Sequence, residues 1–263
     1  MTHDDPQPRR HRFSEGAGFG DPYRGFSLEV GETDPFRIDP TDSHVLADLL
    51  DPENYRPEDV DLDALFDVGL SYLAIEQYAQ AGDVFARIAW FAPEDSREAM
   101  EAWTNRGVAH AQLGEYDEAV GAALEALRID GVGRDEGESR FADLAAVAEL
   151  NLAYALWESG DSSHPLEHAE RAVELDPRLP EAWFGLGFYY NERALWEPAR
   201  EALERALSLG LRQADVHEEL ARSLDELDEP LEAEREAAEA EALREHEQTT
   251  VSDVDADPER LGA

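Results

Sequence analysis

Small and hydrophobic residues recur along the middle of the chain at the spacing of paired amphipathic helices, with a period of about 34 residues. The clearest copy of the pattern contains Trp183, Leu186, Gly187, Tyr190, Ala199 and Ala206. The small residue of the first helix returns at the same period, at Ala153, Gly187 and Ala221. Because one helix pair cannot bury its own apolar face, the pattern predicts helix pairs that stack on one another.

Five units follow this pattern between residues 62 and 247. They span residues 62–95, 100–133, 146–179, 180–213 and 214–247. An insertion at 134–145 separates the second unit from the third, and its apolar last residues predict that it extends the next helix upstream. In the third unit Pro165 is expected to begin the second helix, since proline is favoured at the first helical position. The fifth unit carries Glu at its exposed positions, which predicts a polar terminal cap.

Three segments outside the units lack the repeat. Residues 1–42 mix Gly, Pro, Asp and Arg with isolated aromatic residues, which predicts a largely irregular or disordered arm. Residues 43–61 contain a helical pattern after Ser43 and are predicted to form a short helix and a linker. Residues 248–263 alternate small, acidic and polar side chains and are predicted to be a disordered acidic tail.

The signature residues of the units resemble those of tetratricopeptide repeats, whose pattern is W-x2-L-G-x2-Y followed by A-x3-F, Ala and Pro. The first unit has Gly69, Tyr72, Ala81, Phe85 and Pro93 at these positions. The resemblance implies an all-α fold, a right-handed α-solenoid of about five helix-turn-helix repeats. It also implies an elongated surface that binds other proteins rather than a closed catalytic pocket.

The charge of the chain is extreme. It has 62 acidic and 22 basic residues, a net charge of −40, and every basic residue is Arg because Lys is absent. Such a surface repels itself in dilute buffer, whereas molar salt shortens the Debye length to roughly 3 Å and screens the repulsion. We therefore predict an acidic, halophilic surface of the haloarchaeal type on a cytoplasmic protein. The same charge argues against nucleic acid and anionic membranes as partners.

Few groups are available for catalysis or for metal binding. Without Lys and Cys, the chain lacks a phosphate-binding lysine, a Schiff base, a thiol nucleophile and a thiolate zinc site. His164, Glu167 and His168 have metal-ligand chemistry, but Pro165 interrupts them and acidic residues are abundant everywhere. We predict no metal, no cofactor and no enzymatic activity.

The resemblance also implies where a ligand binds. In this family one stripe on the first helix of each unit lines a concave groove, and an amide at the sixth position of the unit holds the backbone of the ligand. On this chain the peptide-binding groove comprises Phe66, Leu70, Thr104, Asn105, Val108, Leu150, Asn151, Tyr154, Trp157, Phe184, Phe188 and Asn191. Asn105 and Asn151 share the sixth position. Two alternatives stay open: the amides bond within their own repeat, or the aromatic residues pack against the insertion or the arm.

These features favour a non-enzymatic adaptor or scaffold whose groove binds a peptide segment of a partner protein. A second hypothesis is a self-assembling scaffold, in which the N-terminal arm or a second copy of the chain fills the groove. A remote third hypothesis is a metal hydrolase built from carboxylates, which the abundance of Asp and Glu allows. No motif in the sequence identifies the partner or the oligomeric state.

Overall fold

The computed structural model of the protein describes residues 27–28, 36–37, 60–131, 139–160 and 164–256, and it describes side chains for residues 60–131, 139–160 and 164–246. The described residues before position 60 form two short strands, β1 (Ser27–Leu28) and β2 (Phe36–Arg37). The strands pair antiparallel, with Leu28 opposite Phe36. These four residues are the described part of the arm, for which a largely irregular conformation is predicted. The rest of residues 1–42 and nearly all of the predicted helix and linker at 43–61 lie outside the described residues.

Ten helices follow in the described part of the chain, two for each predicted unit. They are α1 (Leu62–Ala74), α2 (Tyr78–Phe91), α3 (Arg97–Leu113), α4 (Tyr116–Asp130), α5 (Ala142–Glu158), α6 (Pro165–Leu175), α7 (Pro180–Glu192), α8 (Trp196–Ser208), α9 (Ala214–Glu226) and α10 (Pro230–Ala256). The predicted all-helical repeat fold is confirmed.

The helix boundaries follow from local sequence. Asp61 accepts a hydrogen bond of 3.1 Å from the backbone N–H of Ala64 and caps α1, and Ser96 caps α3 by accepting from Ala99. α3 and α4 each end at a glycine with positive φ, Gly114 at 76° and Gly131 at 83°. These residues adopt the left-handed conformation that favours glycine, which stops the helix there.

The chain forms two compact units, Met1–His164 and Pro165–Ala263. In the first unit α2 packs against α1 and α3, and α4 packs against α3 and α5. Its first repeat has a core of aliphatic and aromatic side chains that includes Leu65, Tyr72, Phe85 and Ile88. In the second unit α9 packs against α8 and α10, around a core that includes Leu203, Val216, Leu220 and Leu224.

Glycines allow two helices of a pair to approach closely, as the sequence predicts for the small residue of the first helix. A Cβ atom on Gly187 would lie 2.6 Å from Cγ of Leu203 and 3.3 Å from the carbonyl oxygen of Ala199. A Cβ atom on Gly69 would lie 2.8 Å from the ring of Phe85. All three distances are shorter than ordinary van der Waals contact, so a larger residue at either crossing would force its neighbours to move.

The insertion and the third repeat follow the prediction where they are described. α5 begins at Ala142, upstream of residue 146, so the end of the insertion does extend the helix. The carboxylate of Asp130, at the end of α4, accepts a hydrogen bond of 2.7 Å from the backbone N–H of Phe141. This bond fixes the start of α5, while residues 132–138 lie outside the described residues. Pro165 begins α6, as predicted.

The C-terminal helix is longer than the sequence analysis predicts. α10 continues to Ala256, well into the segment at 248–263 for which disorder is predicted. The prediction is wrong for residues 248–256. After Pro230 the chain contains no proline or glycine before Pro258, so nothing in the local sequence interrupts the helix. Residues 257–263 lie outside the described part.

Candidate functional site

The predicted groove residues lie on the first helices of the repeats, α1, α3, α5 and α7. Nine of them belong to the first compact unit, where α3 packs against both α1 and α5. The remaining three, Phe184, Phe188 and Asn191, lie on α7 in the second unit. The candidate site considered below is therefore the surface of α1, α3 and α5.

The predicted stripe is less exposed than an open groove requires. Seven of its residues are half-buried: Phe66, Leu70, Asn105, Tyr154, Trp157, Phe184 and Phe188. The other five are buried: Thr104, Val108, Leu150, Asn151 and Asn191. Leu150 is only 2% exposed, so it contributes to the core and leaves almost no surface for a ligand.

The aromatic residues of the stripe pack within their own compact unit. Tyr154 on α5 meets Tyr116 on α4 edge to face, with ring centroids 6.5 Å apart. The ring centroids of Phe66 on α1 and Phe85 on α2 lie 6.2 Å apart with the ring planes tilted by 50°, and Phe184 packs against the core of the second unit. These contacts are with helices of the same compact unit, not with the insertion or the arm, and each of the three side chains stays half-buried.

Two polar residues of α3 bond to their own helix. Asn105 Nδ2 donates a hydrogen bond of 3.0 Å to the carbonyl oxygen of Glu101, and Thr104 Oγ1 donates one of 2.9 Å to the carbonyl oxygen of Met100. Both bonds span one helical turn. The donor of Asn105 is therefore engaged in the described structure, which is the alternative left open for the amides.

Asn191 has a purely internal network in the second unit. Its Nδ2 donates to the carbonyl oxygen and to Oε2 of Glu219, each at 2.9 Å, and its Oδ1 accepts from Ser223 Oγ at 2.7 Å. The side chain is 1% exposed. Because both ends of the amide bond to α9, Asn191 holds two successive first helices together and has no free group for a peptide.

Asn151 differs from Asn191 in the hydrogen bonding of its side-chain amide. It is 6% exposed, and neither its amide nitrogen nor its amide oxygen has a hydrogen-bond partner among the described residues. Gln112 on α3 is also 6% exposed, and both of its amide atoms are likewise unpaired within this part of the chain. Gln112 follows Ala111, which shares a small apolar cluster with Ala155 of α5, one turn after Asn151. Gln112 is thus one residue, and Asn151 one helical turn, away in sequence from a cluster that joins α3 and α5.

Gln112 is absent from the predicted groove, although the sequence contained a signal for it. It occupies the thirteenth position of the unit 100–133, one of the positions adjoining the ligand-facing stripe of the family. Burial of an amide without partners cannot be read from one sequence, so only the structure separates Gln112 and Asn151 from the internally bonded Asn105 and Asn191.

One end of the site is strongly acidic. The first turns of α1, α3 and α5 carry Asp63, Glu98 and Asp143, next to Glu101 and Arg97. Burial raises the pKa of Glu101, Arg97 opposes the shift, and the three other carboxylates raise it further. Hydrogen bonds from Arg97 lower the pKa of Asp143. This end thus carries four carboxylates and the one guanidinium of Arg97, which gives it a negative potential.

The described residues offer little for metal chemistry. They contain no group of three His, Asp or Glu side chains placed to hold a metal ion. The hydrolase hypothesis therefore has no supporting site in this part of the chain. The same part contains no helix that is long and apolar enough to cross a membrane.

Comparison with known proteins concerns the repeat and the fold. Residues 100–131 match the family described as tetratricopeptide repeat. A crystal structure of MamA is similar to this chain with a TM-score of 0.51 at 15% identity, covering 69% of this chain and 96% of the other. A MamA RS-1 ArsTM double mutant has a TM-score of 0.51 at 19% identity, covering 72% and 97%. MamA 41-end from Desulfovibrio magneticus RS-1 has a TM-score of 0.50 at 18% identity, covering 70% and 96%.

At such low identity these likenesses concern the fold alone. No curated protein matches the chain in sequence. The family match lies on α3 and α4, the helix pair that contributes Gln112 to the candidate site.

Proposed function

Because the chain is a tetratricopeptide repeat protein, we propose that it is a non-enzymatic adaptor that binds an extended segment of a partner protein along α3 and α5. Repeats of this type present elongated surfaces rather than closed pockets, which suits a protein ligand. The partner's segment lies across the two helices, displaces the side chains that cover the buried amides of Gln112 and Asn151, and bonds to those amides.

The observation that carries the proposal is the pair of unpaired buried amides. A buried polar group without a partner costs about 1–3 kcal/mol, so such a group calls for a partner, which can be an ordered water or a ligand. Gln112 and Asn151 each leave both a donor and an acceptor unused. A peptide backbone offers the complementary acceptor and donor in one extended unit, and it does so whatever its side chains are.

The acidic end of the site selects among segments. Glu101 is half-buried, and burial with neighbouring carboxylates raises its pKa, so a positive charge brought close to it is favoured. A segment with Arg or Lys at one end therefore fits the first turns of α1, α3 and α5. In molar salt this attraction is screened over a few ångströms, so affinity depends mainly on apolar contacts with half-buried residues such as Trp157.

Selection from a library of displayed random peptides against the full chain in molar KCl tests the proposal. We expect selected peptides to bind with measurable affinity and to carry basic residues near one end. Asn151→Leu is expected to weaken binding at least about tenfold, since a lost hydrogen bond to a buried amide is worth about 1.5 kcal/mol. Gln77→Leu is the matched control, because Gln77 is an exposed amide that makes no capping bond at the start of α2.

The self-occupied scaffold makes a different prediction in the same assay. If residues 1–42 fill the site, a chain that lacks them binds the selected peptides more tightly than the full chain does. If the arm takes no part, the two chains bind equally. Equal binding by wild type and Asn151→Leu in both forms would contradict the proposed site.

A further inference from the structure

The outer face of α2 carries the most exposed tryptophan of the described residues. Trp90 is 70% exposed, whereas Ala81, Val84, Phe85, Ile88 and Phe91 on the opposite side of the helix are buried. The face consists of Ala79, Asp83, Ala86, Arg87 and Trp90, which are exposed or half-buried. They lie at intervals of three and four residues, so they form one stripe along the helix.

Two charges on this stripe have no partner. Within the part of the chain that the structure describes, neither Asp83 nor Arg87 makes an ion pair or a side-chain hydrogen bond. Some other arginines pair with carboxylates: Arg128 pairs with Asp95 and Glu125, and Arg222 pairs with Glu192.

The stripe is complementary to itself when two copies of α2 lie antiparallel. With the crossing centred between Asp83 and Arg87, each Asp83 faces the Arg87 of the other copy, and the reverse pair forms by symmetry. Trp90 then lies over the other copy's stripe near Ala79, where a small side chain leaves room for the ring. Both unpaired charges and the exposed ring gain partners from one arrangement.

We propose that the outer face of α2 is an interface with a second copy of this chain, related by a twofold axis. Tryptophan is enriched among the residues that contribute most to the binding free energy of interfaces. The reciprocal ion pairs fix the antiparallel register. Two chains with a net charge of −40 repel each other, so the interface forms where salt screens that repulsion. The dimer does not depend on the proposed peptide site, but it would present two such sites and increase the avidity for a repeated ligand.

Sedimentation equilibrium of the full chain in molar KCl tests the interface. Wild type is expected to show a concentration-dependent mass that approaches twice that of the monomer. Trp90→Ala should raise the dimer dissociation constant about 30-fold or more, as expected for a central interface tryptophan. Leu231→Ala is the control, because Leu231 is 78% exposed and its loss reduces exposed apolar surface without touching α2. A monomeric wild type, or equal effects of the two variants, would overturn the proposal.

Charge exchange distinguishes a second copy from any other partner. In a dimer of Asp83→Arg, the new arginine of each copy faces Arg87 of the other copy. In a dimer of Arg87→Asp, the new carboxylate of each copy faces Asp83 of the other. Each variant alone should therefore dimerise more weakly than wild type. A mixture of the two variants restores both ion pairs and should form a heterodimer. The comparison uses the lowest KCl concentration at which the helical circular dichroism is intact, since molar salt screens the charges. If the mixture dimerises no better than the single variants, the antiparallel interface is overturned.

Discussion

Ser223 Oγ donates a hydrogen bond of 2.7 Å to Oδ1 of Asn191, and both side chains are buried. The bond joins α7 to α9, the first helices of two successive repeats, and the amide nitrogen of Asn191 bonds to Glu219 on the same helix. A residue that the repeat pattern places in a ligand groove therefore links two helices instead. The hydrogen bonds of the Asn191 side chain are made within the protein, without a ligand.

Replacing Asn191 by Leu is expected to lower the free energy of unfolding by about 1–3 kcal/mol. The substitution leaves Ser223 and the carboxylate of Glu219 without their buried partner, and that penalty exceeds any gain from the apolar side chain. Urea denaturation at constant molar KCl, followed by circular dichroism, measures the change. An unchanged denaturation midpoint would show that the network contributes nothing to stability.

Replacing Asn151 by Leu is expected to raise the free energy of unfolding, whereas Asn191→Leu lowers it. The amide is buried without partners in the free protein, so removing it relieves a penalty and should raise the free energy of unfolding by up to about 1–2 kcal/mol. The same denaturation measurement compares it with Asn191→Leu. Destabilisation of similar size in both variants would mean that Asn151 has internal partners after all.

Gly187→Ala is expected to lower the free energy of unfolding, and Gly121→Ala is expected to raise it. An added Cβ at position 187 meets Leu203 at 2.6 Å, so overpacking should cost about 1–3 kcal/mol of unfolding free energy. At position 121, on the exposed side of α4, a Cβ has no neighbour within 4 Å, so alanine should stabilise the helix by about 0.5–1 kcal/mol. Thermal unfolding of the two variants beside wild type measures both effects. Stabilisation by Gly187→Ala would contradict the close helix crossing.

Glu236 on α10 should make stability depend on acid pH. Burial by itself would raise the pKa of this carboxyl, but hydrogen bonds from His217 and Arg235 outweigh burial and hold the pKa below its usual value of 4.5. His217 Nδ1 lies 2.7 Å from Glu236 Oε2. A lowered pKa in the folded state stabilises the fold above the unfolded value, and that stabilisation is lost as the pH falls through the folded value.

We therefore expect Glu236→Gln to be less stable than wild type at neutral pH, by about 1–3 kcal/mol. The difference should begin to shrink below about pH 4.5 and vanish as the pH falls through the lower pKa of the folded state, where folded wild type also loses the negative charge. Urea midpoints measured from pH 7 downward test this. A difference that stays constant across the range would assign the effect to packing rather than to charge.

Salt should control the folded state as a whole. With a net charge of −40, self-repulsion grows when the ionic strength falls, because the Debye length increases from roughly 3 Å at 1 M to roughly 30 Å at 0.01 M. We expect dialysis from molar KCl into dilute buffer to remove the cooperative unfolding transition seen by circular dichroism. Full cooperativity in dilute buffer would remove the basis for the halophilic interpretation.

The sequence is a better guide to this fold than to its site. The helix pairs, the crossings at Gly69 and Gly187 and the start of α6 at Pro165 follow from small-residue spacing and proline, which act locally. Polar composition predicts disorder after residue 247, but the absence of proline and glycine there allows α10 to continue to Ala256. The roles of Asn191 and Asn151 differ only in which polar atoms surround them in three dimensions. Neighbouring helices supply those atoms, so repeat position alone could not separate a structural amide from an unpaired one.

The most direct test of the central claim is the affinity of one selected peptide for wild type, Asn151→Leu and Gln112→Leu, measured by titration calorimetry in molar KCl. If the unpaired amides hold the ligand backbone, both variants remain folded and each binds at least about tenfold more weakly, while Gln77→Leu binds like wild type. Wild-type affinity in both Asn151→Leu and Gln112→Leu would contradict the account and place the partner elsewhere on the protein.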